Sequence, residues 1–174
     1  LIPFLSPYSV NNIGIRTDQL KYMYFIAGLC TVLSARYIGR MTDTLGALKV
    51  FATLAILSSV PIWIYTHVGQ LDFITYLILS TFFMAIVSGR MIPAMTMVSE
   101  VPLANERGTF MGLLNSIRSF GMAMAAMIGG MIITQSSSGK IEGFENVGLI
   151  TICVTIFSIF LAMPVYKKIK LQTA

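Results

Sequence analysis

The chain has 174 residues, of which 56% are hydrophobic and only 11% are charged, with a formal net charge of +5. A soluble domain of this size spends about a quarter of its residues on charge, so this composition excludes an ordinary soluble protein. Several apolar stretches reach the roughly 20 residues that a helix needs to cross a bilayer. The bulk numbers therefore predict a polytopic membrane protein.

The chain opens on an apolar segment, and we read residues 1–9 as the tail of a membrane span. This opening lacks the basic region and the small-residue cleavage site of a signal peptide, so we expect the N-terminus to be a cut within a longer chain. Asn11, Asn12 and Gly14 are turn formers and predict a connector before the next span.

Five full spans follow, separated by clusters of glycine, proline and charge. In chain order, we predict them at about 18–40, 47–66, 72–99, 107–134 and 146–166, with a cytoplasmic tail at 167–174. Helices are expected because a span must satisfy its own backbone hydrogen bonds in lipid, and the roughly 10-residue alternating segments of a barrel are missing. The predicted fold is all-α, with five full transmembrane helices and the end of a sixth in one unit, 1–174.

The distribution of basic residues predicts the orientation. Successive connectors alternate between the two sides of the membrane. One side collects Arg36, Arg40, Lys49, Arg107, Lys167, Lys168 and Lys170. The other collects Arg16, Lys21 and Lys140. The richer side, which includes the C-terminus, is predicted to be cytoplasmic, and because the basic excess is then a topology signal we expect no nucleic-acid partner.

Residues that carry catalysis are scarce in this chain. Cys30 and Cys153 each lie inside an apolar run, which favours two free, buried thiols over a disulfide or a metal site. His67 has no carboxylate or cysteine cluster beside it. With one histidine and no acid inside the spans, proton-transfer groups are lacking, so we expect no enzyme, no metal and no cofactor apart from a coupling proton or other ion.

Arg90 and Arg118 are the two charges that fall inside predicted spans. Each lies about ten residues from the cytoplasmic end of its helix, and the two helices are antiparallel neighbours, so we expect similar depths. An intramembrane arginine is costly and normally faces a partner or a wet cavity. Either residue therefore contacts a substrate or a gate, or it snorkels or makes a structural hydrogen bond. Asn115 lies one turn from Arg118 on the same face and strengthens the first reading there.

Two further patterns mark possible moving parts. Pro93 removes a backbone hydrogen bond from the third span and is expected to kink it, as in helices that line transporter sites. In "GMAMAAMIGG", the small residues repeat every four positions, which lets two helix backbones approach closely. This predicted helix-packing stripe consists of Gly121, Ala125, Gly129 and Gly130. Tolerated kinking and simple packing remain the alternatives.

The connector "GRMTDTLGALKV", residues 39–50, is either an ordinary polar connector between membrane helices or a device on which chemistry or motion depends. We predict that Gly39 and Gly46 form turns around Asp43. Arg40 and Lys49 supply the neighbouring charges.

This connector resembles a loop motif of the major facilitator superfamily, G-x-L-x-D-R-x-G-R-R. Gly39, Asp43 and Gly46 stand at the motif's spacing, but Thr44 and residues 47–48 replace basic residues of the family. With fewer basic residues, the connector is more similar to the second copy of the motif, which lies between helices eight and nine of the family.

The rest of the chain resembles the same family in order. "VPLANERGTFMG" is similar to the loop between helices ten and eleven in efflux members, and "GMAMAAMIGG" to a degenerate antiporter motif, G-x-x-x-G-P-x-x-G-G. The opening "PFLSPYSVNNIGIRTDQLKYMYFIAGLCT" resembles the end of helix seven running into helix eight. The resemblance thus covers the C-terminal half of such a transporter, from late helix seven to helix twelve, in a drug-, sugar- or metabolite-efflux-like branch.

The resemblance implies secondary active transport of small organic molecules by alternating access, with proton-coupled efflux expected. A sugar or metabolite uptake symporter and a non-transporting scaffold or receptor-like protein remain alternatives. It also implies a bacterial inner membrane location, a lipid bilayer, a small-molecule substrate and a missing N-terminal six-helix half as partners. By the same resemblance, Asp43 would face a helix N-terminus in that half, and its loop, with Gly39, Arg40, Gly46 and Lys49, would be a conformational latch. Arg90 would face the central cavity, and Arg118 the seam between halves.

Overall fold

The computed structural model describes residues 1–102, 105–137 and 139–172, with the backbone alone at Val165 and 168–172. The N-terminal segment winds through a 3-10 turn (Ile2–Phe4), α1 (Leu5–Tyr8) and a π-helical turn (Ser9–Ile13). A second 3-10 turn, Thr17–Gln19, precedes the long helices. The remaining helices are α2 (Leu20–Leu45), α3 (Ala47–His67), α4 (Phe73–Gly89), α5 (Met91–Ser99), α6 (Arg107–Ile132) and α7 (Phe144–Gln172). The predicted all-α class is confirmed.

Four helical stretches in the described part of the chain are long and apolar enough to cross a membrane. They are Ala47–His67, Phe73–Ser99, Arg107–Ile132 and Phe144–Pro164. The fifth long helix, α2, has 26 residues and therefore the length of a span. Its C-terminal half carries Arg36, Arg40 and Asp43, which makes it less apolar than the other four.

The structure corrects the predicted connector after α2. The helix was expected to end at residue 40 with a turn at Gly39, but it continues to Leu45 and Gly39 lies inside it. The threonine hydroxyls of the extension bond back to carbonyls one turn earlier, Thr42 to Ile38 at 2.7 Å and Thr44 to Arg40 at 3.0 Å. The chain turns only at Gly46, whose φ of 92° favours glycine.

The third predicted span is one helix with a break at Arg90, which separates α4 from α5. Pro93 lies one turn later and has no N–H to donate to the carbonyl of Gly89, so the ladder of hydrogen bonds is interrupted at this point. Gly89 also packs closely on Ile38 of α2, at a distance where a Cβ would clash. The break therefore has both a backbone cause and a packing neighbour.

The C-terminal part of the chain also differs from the prediction. The loop between α6 and α7 contains a two-residue antiparallel pair, β1 (Thr134–Gln135) and β2 (Ile141–Glu142). Gly143 then takes a φ of 81° and packs against the carbonyl oxygen of Ile132, which leaves no room for a side chain. Helix α7 runs to Gln172, so the expected tail continues the helix because nothing in "YKKIKLQ" stops it.

The core lies between the N-terminal segment and helices α2, α3, α4 and α7. Its fully buried side chains are large and partly aromatic. They include Leu5, Tyr8, Ile13, Met23, Ile62, Tyr65, Tyr76, Phe83 and Phe144. The rings of Tyr8 and Phe144 stack at 4.1 Å between centroids, and those of Tyr65 and Phe83 at 5.3 Å. Along α6, by contrast, Gly129 is the only buried residue.

A single hydroxyl joins three core elements. Ser9 Oγ donates to the carbonyl of Leu5 at 2.7 Å and accepts from Tyr76 OH at 3.0 Å. Tyr65 OH lies 2.7 Å from the same oxygen and, with the Ser9 proton already used, acts as the second donor. The oxygen thus satisfies two buried phenols, one from α3 and one from α4, at the first residue of the π-helical turn.

Because two buried donors depend on one acceptor, Ser9→Ala should lower the free energy of unfolding by about 1–3 kcal/mol for each phenol left unpaired. SDS titration of the purified protein, followed by helical circular dichroism, measures this loss. Ser116→Ala is the matched control, since Ser116 is exposed and, among the described residues, its hydroxyl bonds to Gly112 one turn earlier alone. Equal stability of the two variants would contradict the assigned role of Ser9.

Helices α3 and α7 approach each other at Gly148, where a Cβ would lie 2.6 Å from Thr66 Oγ1 and Cγ2. Thr66 is itself buried and holds its hydroxyl on the carbonyl of Ile62 at 3.0 Å, so it cannot move away freely. Close packing of this kind drives helix association in lipid, where hydrophobic burial contributes little.

Gly148→Ala should therefore destabilise the chain by about 1–3 kcal/mol through overpacking. The same SDS titration provides the measurement. Gly28→Ala is the control, because Gly28 lies inside α2 with no described atom within 4 Å of its Cβ position. The packing assignment fails if Gly148→Ala is as stable as the Gly28 variant.

Candidate functional site

Arg90 lies at the break between α4 and α5, inside a membrane-spanning stretch. Its side chain is half-buried, and Nη1 donates to Thr155 Oγ1 of α7 at 3.0 Å. Within the described residues this is the one hydrogen bond of the guanidinium group, which has five N–H donors. Thr155 is buried, so the contact fixes one side of the guanidinium against α7.

Two adjoining cavities, of about 440 and 340 Å³, open beside this guanidinium. Both are bounded by Leu1, Arg90, Ala125 and Thr151. Together their volume falls within the range of small-molecule binding sites. The arrangement places a cationic group on the wall of a space that could hold an organic molecule.

The cavity walls are apolar apart from three side chains. Arg90, Thr151 and Thr155 supply the polar atoms. The apolar walls are formed chiefly by Ile62, Phe83, Val87, Met122, Ala126 and Ile150. Such a lining binds a largely apolar molecule and fixes its orientation through a few polar contacts.

The carboxylates of the chain lie elsewhere. All seven acidic side chains are exposed, at helix ends and connectors. Asp18 forms the one ion pair of the described residues, with Arg16, whose hydrogen bonds hold the pKa of the Asp18 carboxyl below its usual value. Asp72 caps α4 by accepting from Thr75, and those hydrogen bonds lower the pKa of Asp72. Arg90 therefore has no counter-charge in this part of the protein.

Arg118 and Asn115, the other polar candidates inside a span, are exposed on α6. Neither lines the two cavities. The structure thus does not bring Arg118 to Arg90, and a contact with a gate or an interfacial position both stay open for Arg118. Pro93 is buried beside the helix break, where it acts on the backbone of the site.

The stripe of small residues on α6 divides into three environments. Gly129 packs on the ring of Phe4, whose Cε2 would lie 2.9 Å from a Cβ, and Gly130 lies near the same ring at 3.9 Å. Ala125 lines both cavities. Gly121 has no described atom within 4 Å of its Cβ position. The C-terminal half of the helix therefore both touches the N-terminal segment and lines the cavities.

Asp43 is exposed in the last turn of α2, two residues before Leu45. Arg40 and Lys49 are also exposed, and none of the three is in an ion pair with another described residue. A carboxylate is unfavourable at a helix C-terminus, where the helix dipole is negative. Gly46 ends the helix, and a Cβ placed on it would lie 3.6 Å from Tyr166 OH.

Thr151, Thr155 and Phe83 are site residues that the sequence reasoning did not single out. The two threonines are four positions apart on α7 and so share one face of the helix. That spacing was visible in the sequence, but a threonine in an apolar helix usually bonds back to its own helix, as Thr151 does to Val147 at 2.7 Å. Only the tertiary structure shows that Thr155 reaches Arg90.

In the described ranges, no group of three or more histidine, cysteine, aspartate or glutamate side chains could hold a metal ion. Cys30 and Cys153 are both free thiols, and Cys153 is exposed. His67 stacks on Trp63 at 3.9 Å, at the end of α3. The side chains that line the site offer one cation, two hydroxyls and apolar walls for binding.

Comparison with known proteins agrees with this architecture. Residues 1–172 match the family described as Major Facilitator Superfamily. No curated protein and no solved structure matches the chain. Since the match spans nearly the whole sequence, and the described part of the chain consists of long membrane-spanning helices around a cavity, the chain belongs to the Major Facilitator Superfamily of membrane transporters.

Proposed function

We propose that this chain takes part in proton-coupled efflux of small organic molecules by alternating access. The family supports secondary transport of small molecules through an integral membrane protein. The observation that carries the finer proposal is the cavity of α4, α6 and α7 beside Arg90. A cationic side chain on an apolar wall inside a span is costly unless it serves a ligand or a partner.

The break at Arg90 supports a moving site. Transporter sites are commonly built where a membrane helix is interrupted, because the interrupted backbone lines a cavity. Here the interruption carries the one charged side chain that lines the cavities among the described residues, so a change in helix angle at Arg90 would change the shape of the cavity directly. A transporter needs no catalytic group for this work, and binding and motion suffice.

We further propose that the chain is the C-terminal half of the transporter and pairs with an N-terminal six-helix half. Helix α6 supports this proposal because it exposes an apolar face that includes Leu113, Ile117 and Phe120. Asp43 would complete the pairing from the end of α2, by meeting a helix N-terminus of the other half, where a carboxylate is favourable. In this arrangement the cytoplasmic side carries Asp43 and the C-terminus, in a bacterial inner membrane.

Proton coupling and direction are tested in proteoliposomes that contain the transporter as its gene encodes it and the pH dye pyranine in the lumen. 4-Phenylbutyrate, ethidium or glucose is added outside at equal pH, and protein-free liposomes give the passive background. An antiporter exports protons as the compound enters, so the lumen should become more alkaline than the background. A more acidic lumen would instead identify an uptake symporter, and no difference for any compound would support a scaffold.

Asp43→Asn tests the latch. The substitution should slow exchange severalfold while substrate binding stays unchanged, because the carboxylate no longer holds one closed state. In the isolated chain, it should also stabilise α2 slightly, by about 0.3–1 kcal/mol, since the negative charge leaves the helix C-terminus. Counterflow rates and SDS titration measure the two effects.

Asp18→Asn is the matched control for Asp43, as an exposed aspartate before the other end of α2 whose partner is Arg16. Its exchange rate should equal that of the wild type. Unimpaired exchange in both Asp43→Asn and Asp43→Lys would exclude a latch at this position.

A further inference from the structure

The charge of Arg90 raises the question of what neutralises it. The group lies inside the span Phe73–Ser99, nine residues before its nearer end at Ser99. Every acidic side chain of the chain is exposed at a helix end or connector. A buried or half-buried charge without a partner is destabilising, so a bound anion at this position would be stabilised by the charge that is otherwise uncompensated.

The hydrogen-bond geometry specifies what kind of anion fits. Thr155 Oγ1 accepts from Nη1 at 3.0 Å and holds the guanidinium against α7. Arg90 lines both cavities, and within the described residues its other N–H donors have no hydrogen-bond partner. A planar guanidinium with two parallel free donors pairs bidentately with a carboxylate, in charge-assisted hydrogen bonds that are stronger than neutral ones.

The walls specify the rest of the molecule. Ile62, Phe83 and Val87 face the larger cavity, together with Met122 and Ala126. These side chains offer no hydrogen-bond partner for hydroxyl groups, so a sugar would leave its hydroxyls unpaired. A cation would be repelled by Arg90. An apolar body is what this lining accommodates.

From these observations we infer that the cavity binds a small organic carboxylate with an apolar body, and that Arg90 pairs with the carboxylate while Thr155 positions the guanidinium. The inference rests on the proposed function, because it names the substrate class of the same site. The anion neutralises Arg90 in the span, and the apolar body replaces lipid or water against the walls of α3, α4 and α6.

Direct binding tests the assignment with a matched pair of probes, 4-phenylbutyrate and its neutral amide, 4-phenylbutyramide. Isothermal titration uses the transporter as its gene encodes it, in a neutral detergent. The two probes share the apolar body and differ in charge, so the carboxylate should bind at least about tenfold more tightly. Equal affinities would overturn the inference.

Three variants locate the site. Arg90→Gln should reduce carboxylate affinity to that of the amide, while Arg90→Lys should keep part of the preference, because a lysine retains the charge and loses the fork. Thr155→Val keeps the side-chain shape and removes the acceptor, so it should weaken carboxylate binding and leave amide binding unchanged. Arg36→Gln, an exposed arginine of α2 that does not line the cavities, is the control. An undiminished carboxylate preference in Arg90→Gln would overturn the inference.

A lipid headgroup is the other source of an anion, and nanodiscs separate the two. Phenylbutyrate should bind equally in phosphatidylcholine discs with and without phosphatidylglycerol, whereas displacement by the anionic lipid would show a lipid site and overturn the substrate assignment.

Failure of the proposed function is distinct from these outcomes. A protein that binds the carboxylate selectively but moves no compound retains the site and loses the transport role. One that moves ethidium or glucose without carboxylate preference retains transport and refutes the substrate class.

Discussion

Polar groups inside this chain find most of their partners within it, because lipid offers none. Among the described buried side chains, the hydroxyl of Thr81 is the exception. The requirement explains the back-bonded threonine and serine hydroxyls along the helices, each held by a carbonyl three or four residues earlier. It explains the shared oxygen of Ser9, which serves two tyrosines from different helices. It also explains why Arg90 reaches across to Thr155. The guanidinium of Arg90 makes a single hydrogen bond within the described residues, so its other N–H donors remain available to a ligand.

Close contact is the second element of stability in this fold. Gly89 meets Ile38, Gly129 meets Phe4, and Gly148 meets Thr66, each at a distance that excludes a side chain on the glycine. In water, such pairs would add to a large hydrophobic contribution, whereas in lipid van der Waals packing itself holds helices together. The three contacts join α2 to α4, α6 to the N-terminal segment, and α7 to α3.

The class of the fold was predictable because it depends on composition and span length, which are local properties of the sequence. The positions of the long helices followed from the same signals. The end of α2 was not predictable from glycine and charge alone, since Gly39 is tolerated inside a helix whose threonines bond back to the backbone. The short β pair was not predicted either, because strands of two residues form no recognisable sequence pattern.

The candidate site was predictable in part. Arg90 and Pro93 stand out in the sequence as a charge and a helix breaker inside an apolar run. Thr155 lies 65 positions away, and no local signal connects the two. The exposure of Arg118 was equally hidden, because the sequence places a residue on a helix without showing what that helix packs against.

The continuity of α2 has a mechanical consequence. Because Asp43 and Ile38 belong to one uninterrupted helix, a tilt that moves the carboxylate also moves Ile38 against Gly89, the residue directly before Arg90. The end of α2 and the cavity wall would then move together, through the contact of Ile38 with Gly89 at the helix break. By thermodynamic linkage, whatever free energy a ligand beside Arg90 contributes to the tilt of α2, the tilt contributes to the affinity for that ligand.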